Sequence, residues 1–564
     1  MESAKVQLSA MPSSLQALGL NLPLHRSKKA SYILSCKATD GRRDVLLRLA
    51  GGVATAGLSE LRGALAKPIQ SPDFGNCQPI DDPDKVPQVK DTKCCPPKYD
   101  DRIPILDFKL PPLSSPLRVR PAAHLVDRNY LAKYERAVKL MKELPDDDPR
   151  SFSQQWHVHC AYCEGAYEQI GYPKLKIDIH RSWLFFPWHR LYLYFYERIL
   201  GNLIDDDTFA LPFWNWDAPH GMTLPVMYTS ESSPLYDSKR NPVHLPPAIV
   251  NLDYNHKDYH SGTDHKITTE DPINLNLKLM YRQMIAGAKK TELFLGTSYR
   301  AGEEPRGPGT IECEPHNTVH DWTGESKEPS EDMGNLYSAA RDPVFFAHHG
   351  NVDRMWNVWR CLGHTDFTDT DWLDSNFLFY DEEARLVRVH VRDCLDTLAL
   401  RYTYQDVPLP WLTAKPTEAG DTNTPVTPTT GVLPAVLDGI VRVDVPRTKV
   451  SRSRFQKDEE EEVLIVEGIE IADSSKYVKF DVHVNAPQHE QLNAAHAQFA
   501  GSVVLLPHMS GQHEGKTKMS ARFGISDLLD SIRADGDKKI IVSLVPRSAG
   551  EVVTVGAVHI GYIK

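Results

Sequence analysis

Two histidines four residues apart, His316 and His320 in "EPHNTVHDW", stack their imidazoles on one face of any helix that carries them. Close by in the chain are His348 and His349, and a second neighbourhood upstream contains His157, His159, His180 and His189. The pattern points to metal rather than to hydrolysis. A zinc peptidase-type H-E-x-x-H places glutamate directly after the first histidine, and here that position is Asn317. Dizinc and dimanganese hydrolytic sites also draw on carboxylates, and none stands at ligand spacing. Three neutral imidazoles per ion suit copper. Two such sets facing each other would make a dinuclear site able to take up dioxygen, with ions roughly 3.5 to 4 Å apart acting on one bound species.

Elements of helical period must position these residues. Tyr130, Tyr134, Val138 and Met141 repeat at three and four residues, with Asp127 placed to cap the start and Pro145 to end the run. Pro187 precedes "WHRLYLYFYERIL" and Pro343 opens "PVFFAHHGNVDRMWNVW", both with wide apolar faces. From Pro79 to Pro121 the chain is proline-rich and reads as an extended arm over the core. Positions 415 to 431, "KPTEAGDTNTPVTPTTG", read as a linker. After it the period switches to two: Val478, Phe480, Val482 and Val484 alternate with Lys479, Asp481 and His483. "GSVVLLP", "KKIIVSLVP" and "EVVTVGAVHIGYI" follow, so the tail is expected to be an antiparallel β-sandwich. Arg452, Arg454 and the acidic run from Asp458 to Glu462 are expected in an exposed loop.

The totals bound the rest. With 564 residues and 41% hydrophobic content the chain supports two or more packed domains. A formal net charge of -11 leaves no basic excess for phosphates, so nucleic acid is not an expected partner. The run from Val45 to Leu58 contains Arg48 and is too short to span a bilayer, so no integral membrane protein is expected. Residues 3 to 39 carry Lys5, Arg26, Lys28, Lys29 and Lys37 and no acid, as in an organellar transit peptide. Arg42-Arg43 and Ala64-Leu65-Ala66 then suggest a twin-arginine export step, which implies a chloroplast and its thylakoid lumen. Nine cysteines are present; Cys77, Cys94, Cys95, Cys160 and Cys163 cluster, and structural disulfides are plausible among them in an oxidising lumen. Four cysteines alone allow three pairings.

"HCAYC", "DIHRSWLFFPWHR", "LPFWNWD", "HNTVHDW" and "DPVFFAHHGNVDRMW", in that order, resemble the type 3 copper signature of the plant polyphenol oxidases, the catechol oxidase and tyrosinase family. The likeness extends through "DTDWLDSNFLFYDE", "RYTY" and "KFDV". It implies a mainly α catalytic domain with a four-helix bundle around a dicopper site, and a C-terminal antiparallel β-sandwich. The expected boundaries are 1–66 for targeting, 67–411 for the catalytic domain, 412–440 for the linker and 441–564 for the sandwich. By motif, His159, His180 and His189 would hold the first copper, and His316, His320 and His349 the second. The resemblance further implies a Cys163–His180 thioether and disulfides Cys77–Cys95 and Cys94–Cys160.

The implied reaction is copper-dependent oxidation of o-diphenols to o-quinones by dioxygen, with o-hydroxylation of monophenols permitted. Small phenols and O2 are then the partners. A phenol near pKa 10 needs help to lose its proton. The family pattern places Glu312 and Asn317 for that purpose, and Asp321 beside His320 as a further acceptor or a polar cap. Leu336 stands where many relatives carry a phenylalanine that shields the copper, which would open the pocket to bulkier phenols. Asp353 could orient an imidazole or form an ordinary salt bridge with an arginine. Family analogy also has the sandwich cover the copper pocket until processing proteases cut in or after the linker. The competing reading is a haemocyanin-like oxygen carrier without turnover.

Overall fold

The helices that carry the histidines begin at side-chain caps and proline positions. Asp127 accepts the Tyr130 N–H and opens α1 (Arg128–Glu143), whose Tyr134, Val138 and Met141 are buried as one stripe. Ser151 accepts the Gln154 N–H and opens α2 (Phe152–Cys163). In α3 (Phe185–Leu203) Pro187 occupies the first turn, and nearly every side chain is buried, so this helix runs through the middle of the core. The short α4 (Asn317–Thr323) and the long α5 (Val344–Cys361), which starts directly after Pro343, complete the walls around the histidines. This computed structural model describes residues 67–80, 94–97, 102, 104–256, 270–416, 432–487, 493–508 and 517–564. Residues 1–66, expected to be a targeting segment, and residues 417–431 of the expected linker lie outside them. Among the described residues no helix is long and apolar enough to cross a membrane.

Buried charge ties the bundle together. Glu197 on α3 accepts Arg118 Nε and Arg120 Nε, each at 2.8 Å. Asp353 on α5 accepts Arg190 Nε at 2.5 Å, Arg120 Nη1 at 3.2 Å and the hydroxyl of Tyr402 at 2.7 Å. Strand Arg118–Arg120 pairs in parallel with strand Tyr402–Tyr404, so the proline-rich arm and the "RYTY" segment deliver these partners together. Asp353 is therefore bound in an ion-pair network and not to an imidazole. The arm is stapled as well: Cys77 is bonded to Cys95 and Cys94 to Cys160.

The C-terminal region is two antiparallel sheets around one apolar core. One sheet has the order Phe499–Leu505, Val478–Val484, Lys539–Ser548, Val441–Pro446. In the other, Glu461–Ile471 lies between Thr517–Gly524 on one side and Val553–Val555 with Ala557–Ile563 on the other. Ala435–Val436 pairs with Val553–Val555, so the sheet begins inside the stretch read as linker. Phe480, Val482 and Val484 point into the core between the sheets. The alternate residues Lys479, Asp481 and His483 are fully buried too. Period two marks one face as apolar; here the polar face is also covered, by the helical domain. The basic and acidic stretch after Arg452 is exposed over most of Arg454 to Glu459, as expected, but it is not a loop, and its last two acids, Glu461 and Glu462, are buried. Arg454–Glu459 is a helix, Glu461 starts a strand, and Arg447 makes a paired contact with the buried Glu462, its Nε at 2.7 Å and Nη2 at 3.0 Å.

Replacing Asp353 by alanine strands Arg190 and Arg120 without their shared carboxylate, and should cost about 3–5 kcal/mol in denaturant unfolding. The arginines hold this carboxyl below its ordinary range against the opposing effect of burial. Its contribution is complete above the unfolded value near 4 and is lost as pH falls through the depressed folded one. The gap between wild type and variant should thus be constant from pH 5 to 7 and shrink only in stronger acid.

Candidate metal centre

Seven buried histidines converge in two groups. The ligand-capable atoms of His159, His180 and His189 lie within 4.8 Å of one another, as do those of His316, His320, His348 and His349. The groups face each other: the rings of His189 and His349 are 4.3 Å apart and stacked, and those of His180 and His316 are 6.1 Å apart. His159 comes from α2, His189 from α3, and His348 and His349 from α5. His180 stands in the loop before α3, its N–H donated to Asp178 Oδ1 at 2.9 Å. His316 is not simply one turn before His320. Residues Glu312–His316 form a wide turn broken at Glu314 (φ -154°, ψ 127°), and His316 caps α4.

Backbone carbonyls decide which nitrogen of each ring is available. The Nδ1–H groups of His159, His189, His316 and His320 donate to the carbonyls of Leu336, Phe185, Glu312 and Met333 at 3.1, 2.8, 3.1 and 2.7 Å. Each Nε2 therefore keeps a lone pair, and those of His159, His189 and His316 have no protein partner. The Nε2 atoms of His320 and His349 face each other at 3.2 Å. His348 differs, because its Nδ1 accepts the Trp216 indole N–H at 3.1 Å, which leaves the proton on Nε2 and removes this ring as a donor. Burial, reinforced by neighbouring imidazoles, pushes the pKa of His159, His189, His316 and His349 far down; burial brings His320 to about 3. All are neutral at physiological pH. Convergent neutral nitrogens, with no carboxylate in either group among the described residues, are a donor set suited to copper.

The other expected site residues divide. Glu312, Asn317 and Leu336 line one cleft of about 580 Å³ with His180 and Arg181. Burial raises the Glu312 carboxyl to about 8; its Oε1 accepts the Arg181 N–H and its Oε2 has no partner. Asp321 is not on that wall: its Oδ1 meets His256 Nδ1 at 3.1 Å. Cys163 is fully buried, its thiol pushed up by burial and by Asp178, Glu164 and Glu312. Asp178 is also the neighbour of His180.

Family analogy expects the β-sandwich over the pocket but names none of its residues; the sandwich supplies the opposite wall of the cleft. Val504, Leu505, Leu506 and His508 close it. The Asn317 amide donates to the Val504 carbonyl at 2.8 Å. Cys313 explains itself here: its thiol donates to the Ser502 carbonyl at 3.1 Å and its sulfur accepts the Val504 N–H at 3.3 Å. It pairs with the strand edge as a backbone would. Two cations extend this contact. Lys479 Nζ reaches Glu314 Oε1 at 3.1 Å and the Asp253 carboxylate, while His508 Nδ1 reaches Glu164 Oε2 at 2.9 Å. Burial alone would lower His508, but Glu164 and Asp178 raise it to about 9.

Comparison with known proteins agrees with this geometry. Residues 149–362 match the common central domain of tyrosinase, 366–417 the polyphenol oxidase middle domain, and 433–562 the chloroplastic polyphenol oxidase C-terminal domain. These profiles define an oxidoreductase acting on phenols. The chain is 50% identical to the chloroplastic polyphenol oxidase of Malus domestica over 94% of its own length and 92% of that protein. It superposes on latent apple tyrosinase with a TM-score of 0.76 at 50% identity, covering 82% of this chain and all of that one. On the polyphenol oxidase of Grenache (Vitis vinifera) it gives 0.58 at 56% identity, covering 61% of this chain and 99% of the shorter solved one. The chain belongs to the chloroplastic plant polyphenol oxidases.

Lys479→Met removes the only charge facing Glu314 and Asp253 from the sandwich among the described contacts. It should cost about 3–5 kcal/mol, read as an earlier urea midpoint. It should also speed proteolytic release of the sandwich.

Proposed function

We propose that His159, His180 and His189 hold one copper ion and His316, His320 and His349 a second. The protein would use this pair to oxidise o-diphenols to o-quinones with dioxygen as acceptor. The observation that carries the reading is the set of converging ring nitrogens, those of His159, His189 and His316 without a protein partner and those of His320 and His349 meeting each other. A bound copper pair supplies the electron sink and the docking point for dioxygen and a phenolic oxygen. The protein's own residues do the rest. Carbonyls of Leu336, Phe185, Glu312 and Met333 fix the rings, and the apolar wall around Leu336 excludes water. Glu312, which burial raises to about 8, keeps its proton near neutral pH in the bare site; beside the charge of bound copper it would be a carboxylate again, and its Oε2 would then take the proton of an incoming monophenol, which permits hydroxylation as well as diphenol oxidation. A thioether from Cys163 to His180 would restrain that ring and make the loaded chain lighter by two hydrogens.

The sandwich holds the cleft closed, and the chain is a latent form opened by proteases that cut within 415–431. The targeting pattern at 1–66 supports delivery to the thylakoid lumen. His157 takes no part in the donor set, nor does His348.

Metal analysis of the purified chain should give two coppers. His316→Asn should hold about one and lose catechol oxidation by at least about a thousandfold. His348→Asn should keep both. A His316→Asn protein with two coppers and full turnover would refute the assignment. Cleavage in the linker should raise catechol turnover at least about tenfold, by uncovering a cleft that substrate cannot enter in the intact chain.

A further inference from the structure

The sandwich places a phenol of its own beside the copper cleft. Tyr477 packs in one buried cluster with Cys313, Leu336, Val504 and Leu506, three of which also line the cleft. Its hydroxyl donates to the Tyr254 carbonyl at 3.1 Å, and that carbonyl accepts a second donor, Lys479 Nζ, at 3.2 Å. Its ring lies against the imidazole of His256, 6.0 Å between centroids and tilted by 32°. His256 has a positive φ of 61°, and its Nδ1 meets Asp321 Oδ1 at 3.1 Å. Asp321 follows His320 directly in the chain. The helical domain thus presents an acceptor and a ring face, both fixed, to a hydroxyaryl group that arrives from outside it.

We propose that this pit is a second subsite, taking the distal hydroxyaryl ring of a two-ring phenolic substrate while the proximal ring reacts at the copper pair. The inference rests on the phenol-oxidase and latency readings above. When the sandwich leaves, the Tyr477 and Lys479 donors to the Tyr254 carbonyl leave with it, and the Tyr477 ring leaves the imidazole of His256. A distal ring with a hydroxyl reproduces the bond and the ring contact that Tyr477 makes. Leu336 belongs both to the Tyr477 cluster and to the cleft wall, so the pit and the cleft are contiguous at this short aliphatic side chain. Asp321, off the cleft wall, acquires a role here: it positions His256.

Two measurements test the proposal. In the full-length, copper-loaded chain, Tyr477→Ala empties the pit without uncovering the cleft. p-Cresol should raise the melting temperature of this variant by about 2–4 °C more than that of wild type, and toluene by less than p-cresol. An equal shift in both proteins would overturn the subsite. The second uses the chain cleaved in its linker, a form whose expected extent matches the shorter solved Grenache relative. His256→Ala should raise KM for a catechol carrying a distal 4-hydroxyphenyl ring about tenfold more than KM for 4-methylcatechol. Removing the distal hydroxyl from the substrate should abolish that difference. Equal changes in KM for both substrates would sink the proposal. If the cleaved wild type oxidises neither catechol, the phenol-oxidase reading fails instead, and the melting experiment still decides the pit. Should Tyr477→Ala not fold, the KM comparison decides it alone.

Discussion

The structure depends on imidazoles that must stay neutral and point their lone pairs at one another. Placing such rings together in a dry interior is unfavourable on two counts: each nitrogen left unpaired loses its hydration, and any proton taken up would meet like charge. The chain meets the first by spending one nitrogen of each of four rings on a main-chain carbonyl. That choice needs rigid backbone at Phe185, Glu312, Met333 and Leu336. The all-round burial of α3, the Asp353 network and the stapled arm provide it.

The same constraint explains why the sandwich is more than a lid. Carboxylates stand two residues before His180 and His316, at Asp178 and Glu314. Each is met by a cation from the sandwich, His508 on one side and Lys479 on the other. Hence Lys479, Asp481 and His483 are buried although they occupy the polar face of an alternating strand. The helical domain is in effect a third layer against that sheet.

Much of this was legible in the sequence, because it rests on local rules. Asp127 as a cap, Pro187 and Pro343 near helix starts, and the alternation from Val478 to Val484 follow from periodicity and terminal chemistry. What escaped depended on partners distant in the chain. No spacing rule tells that Trp216 occupies Nδ1 of His348, which separates it from His349. Asp353 had two open readings until Arg120 and Arg190 were seen around it. The acidic run after Arg454 is exposed at Asp458 and Glu459, but the burial of Glu462 is not legible locally, because its countercharge, Arg447, lies fifteen residues before it. Asp321 was expected on the cleft through its neighbour His320, yet one residue of helix turns it towards His256. Nothing near Cys313 in the chain accounts for it, because its partner is the edge of a strand almost two hundred residues away.

The neighbouring pair Cys94 and Cys95 sends its bonds in opposite directions, one to Cys77 and one to Cys160, the residue directly after His159. Cys94 and Cys160 are fully enclosed, whereas Cys77 and Cys95 are half-buried. A reductant therefore attacks in a fixed order, opening the outer link first and the one beside the imidazole afterwards. Burial shields the inner link, so the helix that carries His159 keeps its tie to the arm in surroundings reducing enough to cut only the accessible bond.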